Sequence, residues 1–170
     1  ESWLDGTSLG ERDGRALLDA SRSRGAAALN LIPDRNWNIA DAAERAIKLD
    51  NLRAIVAAAN ERAMPLHIGT ELNRLGQPLV DDLEDSPLSP FRQDFFRGAK
   101  ILCGHMILSR YADYGYASAE AEADFGGNVE HRNDFFAAVG ALPGVTLPLA
   151  DQLCAMGTER ALDTLRDAAK

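Results

Sequence analysis

Cysteine is scarce in this chain, which has only two thiols among its 170 residues, Cys103 and Cys154. A disulfide-stabilised secreted scaffold needs more cysteines than this, and the two lie too far apart in sequence to form a close-spaced pair of metal ligands. Cys103 falls in an apolar, strand-like run, and Cys154 falls in a predicted helix. We therefore expect two buried, reduced thiols and a cytoplasmic protein.

Long apolar runs and a surplus of positive charge are also missing. No stretch approaches the roughly 18 apolar residues of a membrane span. No basic segment followed by an apolar core marks a signal peptide at the start of the sequence. The formal net charge is −8. Because an acidic chain is repelled by phosphate backbones, nucleic acid is not expected as a partner. Without an apolar span, no membrane is expected as a partner either.

Familiar catalytic motifs are absent as well. The sequence contains no Gly-x-Gly-x-x-Gly fingerprint, no P-loop, no Gly-x-Ser-x-Gly elbow and no His-Glu-x-x-His helix. Nucleotide cofactors and a serine-hydrolase mechanism are disfavoured for that reason. Hydrophobic residues make up 46% of the chain and charged residues 26%, a balance that predicts a folded globular protein with one sizeable core.

Short apolar runs alternate with helical segments over the first hundred residues. The runs at 26–32, 66–71 and 99–104 read as three buried strands. A capping-box spacing at 8–11 predicts the start of one helix, and Asn38 is the expected N-cap of the next. Because parallel neighbours need helical crossovers, three such units predict a parallel sheet.

The rest of the chain, after His105, reads as mostly helical, with a terminal helix broken near Gly157. The predicted fold is α/β, a partial or distorted (β/α) barrel with parallel strands and a mostly helical C-terminal part. It is expected to form a single domain over residues 1–170. A complete eightfold barrel takes about 250 residues, so a fragment of a longer barrel, completed by strands from further chain, stays an alternative.

Polar side chains follow each predicted strand, and functional sites in parallel α/β proteins gather at the carboxyl ends of the strands. Carboxylate, amide, guanidinium and imidazole groups that meet at one rim could ligate a divalent metal or hold a polar substrate. The predicted site comprises Asp34, Arg35 and His105 as catalytic residues, Asn36, Asn38 and Asn73 as substrate-binding residues, and Glu71 and His105 as metal ligands.

Each of these residues has a purely structural alternative. The loop residues 34–38 could form a local ion pair and helix caps, Glu71 could cap a loop, and His105 could be a hydrogen-bonded structural histidine. His67 is expected in the core or behind the site. The acidic pair at 81 and 82 is expected to be solvated.

Two segments carry a family resemblance. Residues 65–73 read Pro-Leu-His-Ile-Gly-Thr-Glu-Leu-Asn and residues 99–105 read Ala-Lys-Ile-Leu-Cys-Gly-His. Together they resemble the middle of PHP-type metal-dependent phosphoesterases, in which a Gly-x-Glu strand and a later strand supply a carboxylate and a histidine to a metal cluster inside a distorted (β/α) barrel. The resemblance implies that Glu71 and His105 bind a divalent metal, which would be zinc, manganese or iron. The chain lacks that family's opening His-x-His and closing Asp-x-His, so it is either the later part of a longer barrel or a relative without the full metal set.

The leading hypothesis is a metal-dependent hydrolase-like domain acting on a small polar or phosphorylated substrate. The metal would lower the pKa of a bound water, and Arg35 would contact the anionic group of the substrate. The alternative is a non-catalytic barrel domain that binds a ligand or a partner. A metal-independent isomerase or lyase ranks last, because Lys48 and Lys100 are poorly placed for a catalytic lysine.

Overall fold

The computed structural model of the chain describes residues 2–70, 75 and 79–170. Two triplets in which a polar residue lies between two apolar ones form the centre and one edge of a small parallel sheet. The strands are β1 (Ser2–Trp3), β2 (Leu29–Leu31) and β3 (Leu66–Ile68), in the order β1-β2-β3. Both pairings are parallel. Leu29 and Leu31 are fully buried, whereas Asn30 between them is half-buried and lies opposite His67 of β3. One face of the sheet is therefore apolar, and the other carries polar side chains.

The chain divides into two units, Glu1–Phe96 and Arg97–Lys170. Apart from the sheet, the first unit contains α1 (Gly14–Ser23), α2 (Asp34–Trp37), α3 (Ala42–Asn60) and a 3₁₀ turn (Ser89–Phe91), and α4 (Arg92–Ala112) begins in it. The core of this unit lies between the sheet and the helices. Its largest fully buried members are Trp3, Leu18, Leu29, Leu31, Leu52, Ile55 and Leu88.

Aspartates cap the two longer helices of the first unit. The Asp13 carboxylate accepts the Ala16 N–H at the start of α1, and the Asp41 carboxylate accepts the Glu44 N–H at the start of α3. The caps predicted at Ser8 and Asn38 are therefore wrong. The Asn38 amide is engaged elsewhere, because its Nδ2 donates to Asp34 Oδ1 at 2.8 Å.

Only helices occur among the described residues of the second unit. After α4 these are α5 (Ala119–Phe125), α6 (Val129–Gly140), α7 (Leu147–Met156) and α8 (Thr158–Ala168). The predicted break near Gly157 is confirmed, since this glycine lies between α7 and α8 with a φ of 81°. An aromatic group of Tyr114, Tyr116 and Phe136 forms much of the core.

The predicted (β/α) barrel is wrong. The part of the chain that the structure describes has three short strands and is otherwise mostly helical. The strand predicted at 99–104 lies inside α4. Along α4, the buried side chains recur at helical rather than alternating spacing. They are Phe95, Ile101, Leu108 and Ala112.

Gly104, predicted as a strand end, is instead the contact point of α4 with α6. A Cβ on Gly104 would lie 1.9 Å from the Phe136 carbonyl oxygen, and a Cβ on Gly140 would lie 1.8 Å from the Lys100 carbonyl oxygen. The two backbones can approach this closely only because both positions lack a side chain.

No helix among the described residues combines the length and the apolar character that crossing a membrane requires.

Candidate functional site

The polar residues predicted after the first strand lie on the short helix α2 and just beyond it. Asp34 and Asn36 are buried, Arg35 is half-buried and Asn38 is exposed. Asn38 Nδ2 donates to Asp34 Oδ1, and Asn36 Nδ2 donates to the Lys48 carbonyl oxygen at 2.9 Å. These hydrogen bonds hold α2 together and attach it to α3, so they are structural contacts. Catalytic and substrate-binding roles for these residues stay predictions.

Asp81, which is distant in sequence, contacts the last residue of α2. The Trp37 Nε1 donates to Asp81 Oδ1 at 2.8 Å, while Asp81 Oδ2 is buried with no partner. Burial raises the pKa of Asp81, and the nearby charge of Asp34 raises it further, against the lowering effect of the Trp37 hydrogen bond. The expectation that Asp81 is solvated is wrong, because only 4% of the residue is exposed.

Glu71 and Asn73, which follow the second predicted strand, lie outside the described residues. His67, in β3, is half-buried, and its Nδ1 is buried with no partner. Burial lowers the pKa of His67, so the neutral imidazole is favoured.

His105 belongs to the second unit and lies within α4, not at a strand end. Its Nδ1 accepts the Tyr116 N–H at 3.1 Å and lies 3.1 Å from Ser109 Oγ. An imidazole nitrogen that accepts a backbone N–H is already engaged in a structural contact, so His105 anchors the segment between α4 and α5.

No metal centre forms among the residues that the structure describes, and the predicted ligand Glu71 lies outside them. Within residues 2–70, 75 and 79–170, no group of three or more His, Cys, Asp or Glu side chains could hold a metal ion. Divalent metals need several such ligands converging on one point. The interpretation of the protein as a metal-binding hydrolase is therefore corrected: a zinc, manganese or iron cofactor has no ligand set among these residues, and hydrolysis has no support.

A cleft of about 360 Å³ lies elsewhere in the first unit, beside the carboxyl end of β1. We call it the α1–α3 cleft. Its wall includes Trp3, the turn that leads into α1, the first residues of α1, and one side of α3. None of the predicted site residues that the structure describes lines it. The residues that line it are Trp3, Gly6, Glu11, Arg12, Asp13, Gly14, Arg15, Asn51, Ala54, Ile55 and Ala58.

The turn at the mouth of this cleft is held by hydrogen bonds to its own backbone. The Glu11 carboxylate accepts the Leu4 N–H at 2.8 Å and the Gly6 N–H at 3.3 Å. Asn51 Nδ2, on α3, donates to the Asp5 carbonyl oxygen at 2.9 Å. The capping box predicted at 8–11 is absent, because Glu11 bonds backward to this turn rather than capping a helix.

Close packing also determines the shape of this turn. Gly6 has a φ of 76°, and a Cβ at this position would lie 2.9 Å from Asn51 Cβ. Glycine is therefore required at Gly6 for conformation and for space. The turn is built against α3, which gives the cleft a defined wall.

Trp3 is the unusual residue of the α1–α3 cleft. Only 1% of the residue is exposed, yet its Nε1 is buried with no hydrogen-bond partner. Sequence reasoning missed Trp3 because a strand of two residues, Ser2–Trp3, is too short to show a period. The one available signal was an aromatic residue with a polar N–H close to a glycine-containing turn.

No protein-family model, no curated protein and no solved structure matches this chain. The resemblance to PHP-type phosphoesterases therefore stays a prediction.

Proposed function

We propose that the first unit binds a small polar molecule in the α1–α3 cleft. The observation that carries this proposal is the cleft itself, a hollow of about 360 Å³ whose wall includes Trp3, the start of α1 and one side of α3. A buried donor without a partner costs about 1–3 kcal/mol. Such groups are uncommon in folded proteins, and Trp3, which lines the cleft, contains one at Nε1.

The composition of the cleft supports the same proposal. Ala54, Ile55 and Ala58 supply an apolar wall from α3, while Trp3 and the start of α1 supply polar groups. Small-molecule sites combine apolar surface with placed polar groups in volumes of roughly 300–1,000 Å³, and the polar part of this cleft is at least as large as its apolar part. The cleft lies within that range. Binding of a ligand, which was the alternative expected from the sequence, thus has better support than catalysis.

We also propose a cytoplasmic location. Cys103 and Cys154 are both free and exposed, contrary to the expectation that they are buried. Exposed unpaired thiols persist where the environment is reducing. An oxidised chain isolated from its native compartment would contradict this proposal.

A bulky side chain at an exposed position can block the cleft without changing any buried core residue. Ala54 and Ala57 are both exposed on α3, but only Ala54 lines the cleft. In a screen of small polar fragments by ligand-observed NMR, we expect hits that bind the wild-type protein and Ala57→Phe but not Ala54→Phe. Circular dichroism checks that both variants are folded.

Two results would contradict the proposed function. The first is a screen in which no fragment binds the wild-type protein. The second is a set of hits that bind Ala54→Phe as tightly as Ala57→Phe, since such ligands would occupy another surface.

A further inference from the structure

We propose that an exposed face of α4 in the second unit binds an acidic, amphipathic helix of a partner protein. We call this surface the outer face of α4. Its residues are all exposed and lie on one side of the helix, three or four positions apart. They are Ala99, Lys100, Leu102, Cys103, Met106 and Arg110. The inference concerns the second unit only, so it is independent of the α1–α3 cleft.

In the second unit, α4 is apolar on two opposite sides. Ile101 and Leu108 are buried in the core of the unit. On the other side, Met106 is 61% exposed, and Leu102 and Cys103 are exposed as well. A helix at the surface of a globular protein typically has one apolar stripe, and a helix that is apolar all round is typically buried. The outer face therefore carries apolar surface that the core of the unit does not use.

The apolar residues of the outer face adjoin one another. Single exposed apolar residues are common on protein surfaces. Contiguous apolar patches with a polar rim are instead typical of protein interaction sites, and methionine suits such a surface because its flexible side chain adapts to a partner. From Ala99 to Arg110 the outer face extends roughly 16 Å along the helix axis. That is the length of a partner helix of about three turns.

The charge of the outer face is opposite to that of the chain. Residues 95–112 contain no Asp or Glu, although the chain has 26 acidic and 18 basic residues. Lys100 and Arg110 lie beside the apolar residues and form no ion pair with a described residue. The third basic residue of the segment, Arg97, is already bound by two carboxylates of α6. The outer face thus combines exposed apolar surface with two positive charges that have no carboxylate partner.

These charges favour one occupant over the others. A second copy of the chain would present the same two positive charges, and like charges repel. An anionic membrane would attract Lys100 and Arg110 but would repel a chain with a net charge of −8. A partner helix with apolar residues at i, i+3, i+4 and i+7 and acidic residues beside them would cover the apolar surface and pair with both cations.

Two designed peptides test this inference on the whole chain. Each is a fluorescent peptide of about 18 residues, long enough to form a helix in solution. The first has leucine at i, i+3, i+4 and i+7, glutamate beside the leucines, and alanine and glutamine at the remaining positions. The second has lysine in place of every glutamate. Binding is measured by fluorescence anisotropy at pH 7.

We expect the glutamate peptide to bind and the lysine peptide to bind about tenfold more weakly or not at all. Met106→Glu should weaken binding of the glutamate peptide by about tenfold or more, because it places a negative charge at the centre of the contact. Leu147→Glu is the matched control and should leave binding unchanged. Leu147 is 83% exposed in the same unit but lies on α7. Circular dichroism checks that both variants are folded.

Charge reversal tests the two cations separately from the apolar surface. The double variant Lys100→Glu, Arg110→Glu should reverse the preference, so that the lysine peptide binds more tightly than the glutamate peptide. Arg160→Glu is the control, because Arg160 is also exposed and forms no ion pair with a described residue, but lies on α8. It should leave the preference as it is in the wild-type protein.

The two thiols of the chain report where the peptide binds. Cys103 lies on the outer face and Cys154 lies on α7, and both are free and exposed. A saturating concentration of the glutamate peptide should slow the alkylation of Cys103 by iodoacetamide several-fold and leave the rate at Cys154 unchanged. Mass spectrometry of the digested protein measures both rates in one sample.

Three results would overturn the inference. The first is a glutamate peptide that does not bind, or that binds Met106→Glu as tightly as the wild-type protein. The second is a wild-type dimer in sedimentation analysis that Met106→Glu dissociates, since the outer face would then join two copies of the chain. The third is binding to vesicles of equal parts phosphatidylserine and phosphatidylcholine that Met106→Glu abolishes, since the outer face would then contact a membrane. The fragment screen of the α1–α3 cleft is unaffected by all three.

Discussion

The two units differ in how completely they satisfy their buried polar groups. Among the described residues, the buried side-chain atoms without a partner in the first unit are Trp3 Nε1, Asn36 Oδ1, His67 Nδ1, Asp81 Oδ2 and Arg92 Nε. In the second unit, Arg132 Nε is the corresponding atom. The first unit thus carries most of the unpaired polar atoms of the described chain.

In the second unit, the polar groups of the core tyrosines have hydrogen-bond partners. The Tyr116 hydroxyl donates to Asn133 Oδ1 at 2.6 Å, and the Tyr114 hydroxyl donates to Asp124 Oδ2 at 3.0 Å. Both tyrosine rings also pack on Phe136. Satisfied polar groups in a close-packed core stabilise one conformation. Unpaired groups lower stability, and a bound ligand, water or ion is one explanation for them in a folded protein. Their larger number in the first unit agrees with the proposal that this unit binds a ligand.

The largest expected effect tests the close packing of the second unit. Gly104→Ala places a methyl group against the Phe136 carbonyl oxygen. Alanine favours a helix over glycine by about 1 kcal/mol, but forcing α4 and α6 apart is expected to cost about 3 kcal/mol. The urea midpoint of the helical circular dichroism signal should fall accordingly.

Gly144→Ala is the matched control, because no atom lies within 4 Å of the added Cβ. Its free energy of unfolding should stay within about 0.5 kcal/mol of the wild-type value. Equal midpoints for Gly104→Ala and the wild-type protein would show that α4 and α6 are not in tight contact.

A middle-sized effect tests whether the polar groups of the second unit are truly satisfied. Tyr116→Phe removes the buried hydroxyl that bonds to Asn133 while keeping the ring on Phe136. We expect a loss of about 1–2 kcal/mol in the free energy of unfolding. Tyr111→Phe is the control, because the Tyr111 hydroxyl donates to no described residue and its removal should change little. An equal loss in the free energy of unfolding for both variants would show that the Tyr116 hydrogen bond does not stabilise the second unit, which would contradict the difference between the units.

The smallest expected effect has the opposite sign and belongs to the first unit. Asp81→Asn keeps an oxygen to accept the Trp37 N–H and removes the buried charge at Oδ2. We expect a gain of about 1 kcal/mol at pH 7. Because both tryptophans lie in the first unit, tryptophan fluorescence during urea unfolding reports on it.

The pH dependence of this gain follows from the raised pKa of Asp81, which is caused mainly by burial. A raised folded pKa means that the native state binds the proton more tightly than the unfolded chain, so the wild-type protein regains stability as the pH falls through that pKa. The advantage of Asp81→Asn should therefore shrink between pH 7 and the ordinary aspartate value of 3.8. Asp151→Asn, at an exposed position, controls for the loss of one negative charge. A loss of stability in Asp81→Asn at pH 7 would show that the carboxylate has a stabilising partner.

Local patterns predicted several elements well. The runs at 26–32 and 66–71 contain β2 and β3, and Leu52, Val56 and Ala59 form the buried stripe of α3. The pattern failed at 99–104, since a short apolar run fits a strand and a buried helix equally. The sequence signal that favoured a helix there was the spacing of apolar residues along the longer segment 95–112.

Local patterns could not predict the candidate site. Asp81 and Trp37 are 44 positions apart, and only the fold joins them. The α1–α3 cleft likewise depends on Trp3, a turn and one side of α3 that share no local motif.

Local sequence was enough to predict where β2, β3 and the long helix α3 form and where the terminal helices break at Gly157, because these depend on local periodicity and backbone freedom. Three features follow from tertiary contacts: the sheet has three short strands among the described residues, Gly104 and Gly140 bring two helices together, and Trp3 keeps a buried N–H without a partner. Those features depend on which distant groups become neighbours, and whether a buried polar group finds a partner is determined by that arrangement.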